Sequence, residues 1–291
     1  MEQIKMFGIE TKKLFLNLMN TCVSTLQIPK IWCKAEVVAL PKPGKEPTDP
    51  KNFRSVSLLC HLYNVLERMI TNRISESFDQ KLIKEQSGFR PERSRCGQIL
   101  NLTQHIEDGF ERGQVTGVAF IYLSPVYGTV NPKRLTSKFY NITRDYNLTQ
   151  CTQCLLQNIR YFVTLHSNKS RWRNQKNGLP QGSVLVPMLY NIYTNDQPIA
   201  TASQGKTFEE VERKLTIALK DLSKYYDKNH LKSNTGKTQV CAFHLRNKDS
   251  KRKLNITWRG QQLSHCDTTK YLGVKLDLTL TFKAHCENTK L

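Results

Sequence analysis

The chain has 291 residues, 38% of them hydrophobic and 23% charged, with a mean hydropathy of −0.51. That is enough to build one large domain or two modest ones, and no apolar run approaches the roughly 20 residues that a membrane-spanning helix needs. Lys and Arg number 44 against 24 Asp and Glu, a formal charge of +20, and an excess of this size favours a polyanionic partner such as RNA or DNA over a membrane surface.

The first residues carry no apolar signal region, so an intracellular site, nucleus or cytoplasm, is expected. The nine cysteines are odd in number and lack a framework spacing, so reduced thiols are expected. Cys151 and Cys154 form a lone C-x-x-C pair with no second pair to complete a zinc site, and no metal is expected there.

Apolar residues at helical spacing predict a helix over 3–25, stopped by Pro29. A short strand follows at 37–40, then a turn-rich basic loop at 41–47. Helix is predicted over 57–79 and 96–112, with a loop at 88–94 between them. Residues 115–123 read as a strong strand, 132–157 as helix and 160–176 as a hairpin. An amphipathic helix is predicted at 208–229, and strands at 240–245 and 254–258 flank a solvated turn at Lys251, Arg252 and Lys253. Helices and strands alternate irregularly, which points to an α+β fold.

Residues 178–193 read Gly-Leu-Pro-Gln-Gly-Ser-Val-Leu-Val-Pro-Met-Leu-Tyr-Asn-Ile-Tyr, and 53–59 read Phe-Arg-Ser-Val-Ser-Leu-Leu. Residues 120–130 read Phe-Ile-Tyr-Leu-Ser-Pro-Val-Tyr-Gly-Thr-Val, and 231–238 and 271–277 read Leu-Lys-Ser-Asn-Thr-Gly-Lys-Thr and Tyr-Leu-Gly-Val-Lys-Leu-Asp. Together these segments resemble the reverse transcriptases, RNA-directed DNA polymerases, of jockey-like non-LTR retrotransposons, from about residue 28 to the C-terminus.

The resemblance implies a right-hand polymerase fold. It assigns an N-terminal helix to 1–30, fingers to 31–115, palm to 116–245 and the start of a thumb to 246–291. It also implies nucleotide-binding roles for Arg54, Tyr127, Gln181, Gly182 and Lys237. Arg54 is expected to meet a triphosphate, with Lys42 or Lys45 adding a second cation. Tyr127 is expected to exclude a ribose 2′-hydroxyl, and Lys237 to assist pyrophosphate departure. Gln181 is expected to hydrogen-bond the nucleotide, and Gly182 to let the backbone approach it.

The metal ligands are where the chain departs from the family. Two Mg²⁺ ions clamped by carboxylates are what such polymerases need. The family's two aspartates in the first segment fall on Tyr122 and Gly128, and its Tyr-Ala-Asp-Asp hairpin is absent near Ala200 and Thr201. No Asp-Asp pair occurs anywhere in the chain. Asp196, Glu209 and Glu210 are the acids nearest the gap. The expectation is therefore a degenerate domain with no intact catalytic residue and no metal site, binding RNA or DNA through nonspecific electrostatics. Two alternatives stand beside it: a nucleic-acid-binding module, and an active polymerase whose hairpin has been lost only from the gene model. Without the hairpin, the strand run over Val118–Leu123 is expected to lose cross-strand partners.

Overall fold

The computed structural model describes residues 5–123, 127–195, 197 and 202–289. In chain order the elements are α1 (Ile9–Thr25), β1 (Lys34–Pro41), β2 (Phe53–Leu59), α2 (His61–Asp79), α3 (Arg95–Glu111), β3 (Val115–Phe120), α4 (Pro132–Thr143), α5 (Tyr146–Gln157), β4 (Arg160–Leu165), β5 (Asn168–Lys169) and β6 (Arg173–Asn174). There follow α6 (Val186–Thr194), β7 (Ala202–Gly205), α7 (Phe208–Lys228), β8 (Gln239–Phe243), β9 (Thr257–Trp258), β10 (Gln261–Gln262), β11 (Ser264–His265), β12 (Thr268–Tyr271), β13 (Val274–Asp277) and α8 (Lys283–Thr289). The fold is α+β, as the irregular alternation implies.

The chain forms two compact units, each assembled from two stretches of sequence. The first comprises Met1–Leu82 and Tyr127–Asn195, the second Ile83–Val126 and Asp196–Leu291.

The sheet of the first unit runs β2-β1-β4-β5, with β6 also paired to β4. β1 and β2 are antiparallel, and β1 and β4 parallel. Residues 53–59 thus form a strand, and the predicted helix begins only at His61. Val56 faces Val38 and Ser57 faces Val37 across the ladder, so pairing with an apolar strand overrides local helical spacing. The predicted helix over 132–157 is two helices. Arg144 takes a left-handed conformation at φ 55°, and the Asp145 side chain accepts from the Leu148 amide to start α5. Tyr63, Leu66, Leu135, Phe139, Leu155, Leu189 and Ile192 are buried and make the core of this unit.

In the second unit the sheet order is β11-β8-β3-β7. β3 is buried along its whole length. On one face Val118 and Phe120 pack with Ile106, Cys241, Phe243 and Leu276. On the other, Gly117 leaves room for α7: a Cβ there would lie 2.4 Å from Val211 Cγ1 and 2.9 Å from Leu215 Cδ1. The central strand keeps neighbours on both sides. Val118 pairs with Ala202 of β7 and Cys241 of β8, and Phe120 with Gln239. The loss of cross-strand partners expected over Val118–Leu123 is therefore corrected for Val118, Ala119 and Phe120, which pair with β8, Val118 also pairing with β7. Regular pairing ends at Phe120, not Leu123, which makes a single bridge to Ser233. The strand predicted over 254–258 shortens to Thr257–Trp258. Among the described residues no helix is long and apolar enough to cross a membrane.

Candidate nucleic-acid interface

In the first unit, β2 carries Arg54 opposite Leu40, and the Arg54 side chain is exposed. The Ser57 amide of the same strand donates to the Gln181 carbonyl at 2.6 Å. The Pro180-Gln181-Gly182 turn therefore lies against β2. Gly182 holds φ at 118°, and a Cβ there would come within 2.7 Å of the Ser57 carbonyl, so this approach requires glycine. The Gln181 side chain stays exposed. Tyr127 is half-buried, its ring 5.4 Å from that of Tyr190 and edge-on to it, and burial pushes its hydroxyl pKa up. Its carbonyl accepts from the Leu179 amide, which ties Tyr127 to the start of the same turn. Thus Arg54, Tyr127, Gln181 and Gly182 sit on neighbouring segments of one unit. Lys42 is engaged with the Lys51 carbonyl at 2.6 Å.

Glu67 is a residue that sequence reasoning missed. It is 1% exposed on α2. Its carboxylate accepts from the Ser183 hydroxyl at 2.5 Å and the Val184 amide at 3.0 Å. Burial raises its pKa to about 7, opposed by the Ser183 and Val184 hydrogen bonds. Ser183 in turn accepts from the Val186 amide at the start of α6. Glu67 therefore fixes the far side of the Pro180–Ser183 turn, while Ser57 fixes the near side. The signal in the sequence was an acid on the apolar stripe of Tyr63, Leu66, Ile70 and Ile74.

Tyr122 and Lys237 lie in the second unit. The Tyr122 amide donates to Thr238 Oγ1 at 3.3 Å, and its carbonyl accepts from the Asn234 amide at 2.7 Å. The backbone of Tyr122 is thereby held by the segment that carries Lys237. The Tyr122 ring is 53% exposed. It lines an open groove of about 630 Å³ with Lys237, Gln239, Thr268, Lys270 and Lys275. Among the described residues, three ammonium groups and no carboxylate line this groove. Hard divalent cations need anionic oxygens, so these residues do not fit a Mg²⁺ pair. Among the described residues no group of three His, Cys, Asp or Glu side chains could hold a metal ion.

The acids near the gap are committed elsewhere. Thr207 caps α7, and Glu209 and Glu210 occupy its first turn. Glu209 pairs with Arg252, and Glu210 with Lys214 at 2.7 Å. The Glu209 carboxyl is lowered by its own backbone amide and by Arg252, and that of Glu210 by Lys214. Arg252 also lies 4.7 Å from the Phe208 ring, so the turn at Lys251–Lys253 is anchored rather than merely solvated. Asp196, Ala200 and Thr201 fall outside the described residues. Gly128 is exposed, and its backbone would meet a Cβ at Gly178 at 3.0 Å.

Residues 40–276 match the family model described as reverse transcriptase (RNA-dependent DNA polymerase). The chain belongs to the reverse transcriptase family. It is 29% identical over 308 residues to a probable RNA-directed DNA polymerase from transposon BS of Drosophila melanogaster, a match that covers 95% of this chain and 33% of the relative. It is 29% identical over 291 residues to the RNA-directed DNA polymerase from mobile element jockey of Drosophila funebris, covering 92% and 31%. These matches mark a reverse-transcriptase-like domain of the non-LTR retrotransposon type. The chain spans about a third of the length of these relatives. The first match runs over 308 positions with 95% of a 291-residue chain, so the relative carries residues within the matched stretch that this chain lacks.

Among solved structures, apo telomerase from Candida tropicalis aligns over 94% of this chain and 53% of that one, with a TM-score of 0.54 and 10% identity. A form truncated from the C-terminal domain aligns over 90% and 58%, with a TM-score of 0.53. At 10% identity this likeness shows the fold, that of the right-hand polymerases.

Proposed function

We propose that this domain binds RNA or DNA without sequence preference and does not polymerise, a degenerate member of its family. The observation that carries the reading is the groove at Tyr122. An exposed aromatic ring stands where the family places a metal-binding aspartate, with Lys237, Lys270 and Lys275 around it. Such a lining repels divalent cations and attracts phosphate directly. The formal charge of +20 supports a polyanionic partner for the chain as a whole. The residues that the relatives have and this chain lacks agree with loss of the Tyr-Ala-Asp-Asp hairpin near Ala200 and Thr201. On this reading 31–115 correspond to fingers, 116–245 to palm and 246–291 to the start of a thumb. Arg54, Tyr127, Gln181 and Gly182 in the first unit, and separately Lys237 in the second, then remain as phosphate and base contacts.

Two assays on the same preparation test this. Primer extension on RNA and DNA templates with Mg²⁺ or Mn²⁺ is expected to stay at the level of a heat-killed control. Filter binding is expected to show affinity falling linearly with salt on a log–log plot, by about 0.9 per duplex phosphate contact and about 0.7 per single-strand contact. Template-dependent incorporation that disappears in Gln181→Ala would refute the first half. Well-folded protein with no binding, or with salt-independent binding, would refute the second.

A further inference from the structure

Residues 160–176 contain Arg160, Lys169, Arg171, Arg173 and Lys176 and no Asp or Glu. They fold as β4 with β5 and β6 as its antiparallel partners. Among the described residues none of these five cations is paired with a carboxylate. Like charges gathered on one hairpin repel, and among the described residues no ion pair offsets the cluster.

The register decides which side chains act together. Lys34 of β1 lies beside Arg160, and Lys169 lies opposite Thr164. Lys34, Arg160, Phe162 and Lys169 therefore share one face of the sheet. Trp172 lies over that face. Its ring stands 4.8 Å from Phe162 at 74°, with the Lys34 ammonium 5.8 Å and the Arg160 guanidinium 6.0 Å from the indole. Lys169 sits 5.4 Å from the Phe162 ring. Glu36 shares the face, but it is half-buried and its carboxylate accepts the Thr164 hydroxyl at 2.7 Å. The Trp172 side chain is 44% exposed, whereas Trp32 and Trp258 are 6% and 3% exposed.

The geometry points to the β4–β6 hairpin as a docking surface for single-stranded nucleic acid, with Trp172 stacking on an unpaired base and Lys34, Arg160 and Lys169 meeting the flanking phosphates. The inference rests on the nucleic-acid binding proposed above and adds where a strand lies. Exposed aromatics set among cations are how sequence-tolerant single-strand surfaces are built, because every base offers a π face. A duplex keeps its base faces stacked and cannot use the indole. An acidic peptide would satisfy the cations and leave the indole unused.

Trp172 is the exposed tryptophan, so its emission reports on the site. Titration of the whole chain with oligo(dT) and oligo(U) is expected to quench tryptophan emission in step with binding measured on filters. Trp172→Phe is expected to keep the affinity and lose most of the quenching. Trp172→Ala is expected to bind roughly tenfold more weakly with its circular dichroism unchanged. Replacing Lys34, Arg160 and Lys169 by glutamine together is expected to lower the salt slope by about two, at about 0.7 per cation. Single-strand binding with unchanged emission, or unchanged affinity in Trp172→Ala, would overturn the proposal. So would equal quenching by duplex DNA or polyglutamate. Absence of binding to any nucleic acid would remove the parent reading as well, a result visible on filters before any fluorescence is read.

Discussion

Replacing Glu67 by glutamine isolates the group that holds the Pro180–Ser183 turn. The native carboxyl has a pKa of about 7, raised by burial from the ordinary 4.5. The native state thus keeps a proton that the unfolded chain releases. A raised pKa contributes stability that is fully present below pH 4.5 and is lost as the pH climbs through 7. The whole displacement is worth about 3 kcal/mol, of which about 2 to 3 kcal/mol falls between pH 5 and 8. Glutamine has nearly the same shape and cannot ionise. Its amide can donate to Ser183 Oγ while its oxygen accepts from the Val184 amide, though Ser183 then loses the acceptor of its own proton. That mismatch costs about 1 kcal/mol. Wild type is therefore expected to be the more stable at pH 5, and Glu67→Gln the more stable at pH 8. Urea unfolding of both proteins at each pH, followed by circular dichroism, gives the difference free of every other titrating group. A difference that stays constant from pH 5 to 8 would show that Glu67 does not titrate in this window, and the account of the turn would fail.

Gly182→Ala is expected to destabilise the chain by about 2 to 4 kcal/mol in the same urea experiment. Its φ of 118° disfavours a side chain, and the new methyl would meet the Ser57 carbonyl at 2.7 Å. Tyr122→Asp alone is expected to restore no primer extension, since Lys237, Lys270 and Lys275 still line the groove and the hairpin acids are still missing. Extension from that single change would mean that another acid, Asp196 foremost, already supplies a ligand.

The sequence made the fold class and the family legible because both rest on long-range pattern: irregular alternation of elements, and five motif segments in order. It misread what depends on pairing. Residues 57–59 carry helical spacing and sit in a strand, because β1 offers Val37, Glu36 and Ala35 as partners. Residues 132–157 carry one helical stripe and form two helices, because Arg144 and Asp145 end one and start the other. The motif residues Arg54, Tyr127, Gln181 and Gly182 were found on neighbouring segments of one unit. Glu67 was not found, since a lone acid on an amphipathic helix reads as a surface residue until its partner, Ser183, is known. Trp172 was passed over for a similar reason. Its cations come from β1, β4 and β5, and only the strand register brings them to one face.

If the chain is inactive as proposed, loss of catalysis and survival of the fold are separable in it, and β3 shows why. The carboxylates of a metal site contribute little to packing; they are held in a groove at some cost in desolvation. On the proposed reading Tyr122 stands in for one of them, and the backbone bonds of residue 122 to Thr238 and Asn234 use none of its side-chain atoms. Ala202–Gly205 covers the edge of Val115–Val118. Both faces of the strand stay packed, one on Val211 and Leu215, the other on Ile106, Phe243 and Leu276. On the proposed reading, what disappears is the part of the sheet that served the metals, and what remains is a buried strand followed by an exposed aromatic ring beside Lys237, Lys270 and Lys275, whose ammonium groups favour phosphate.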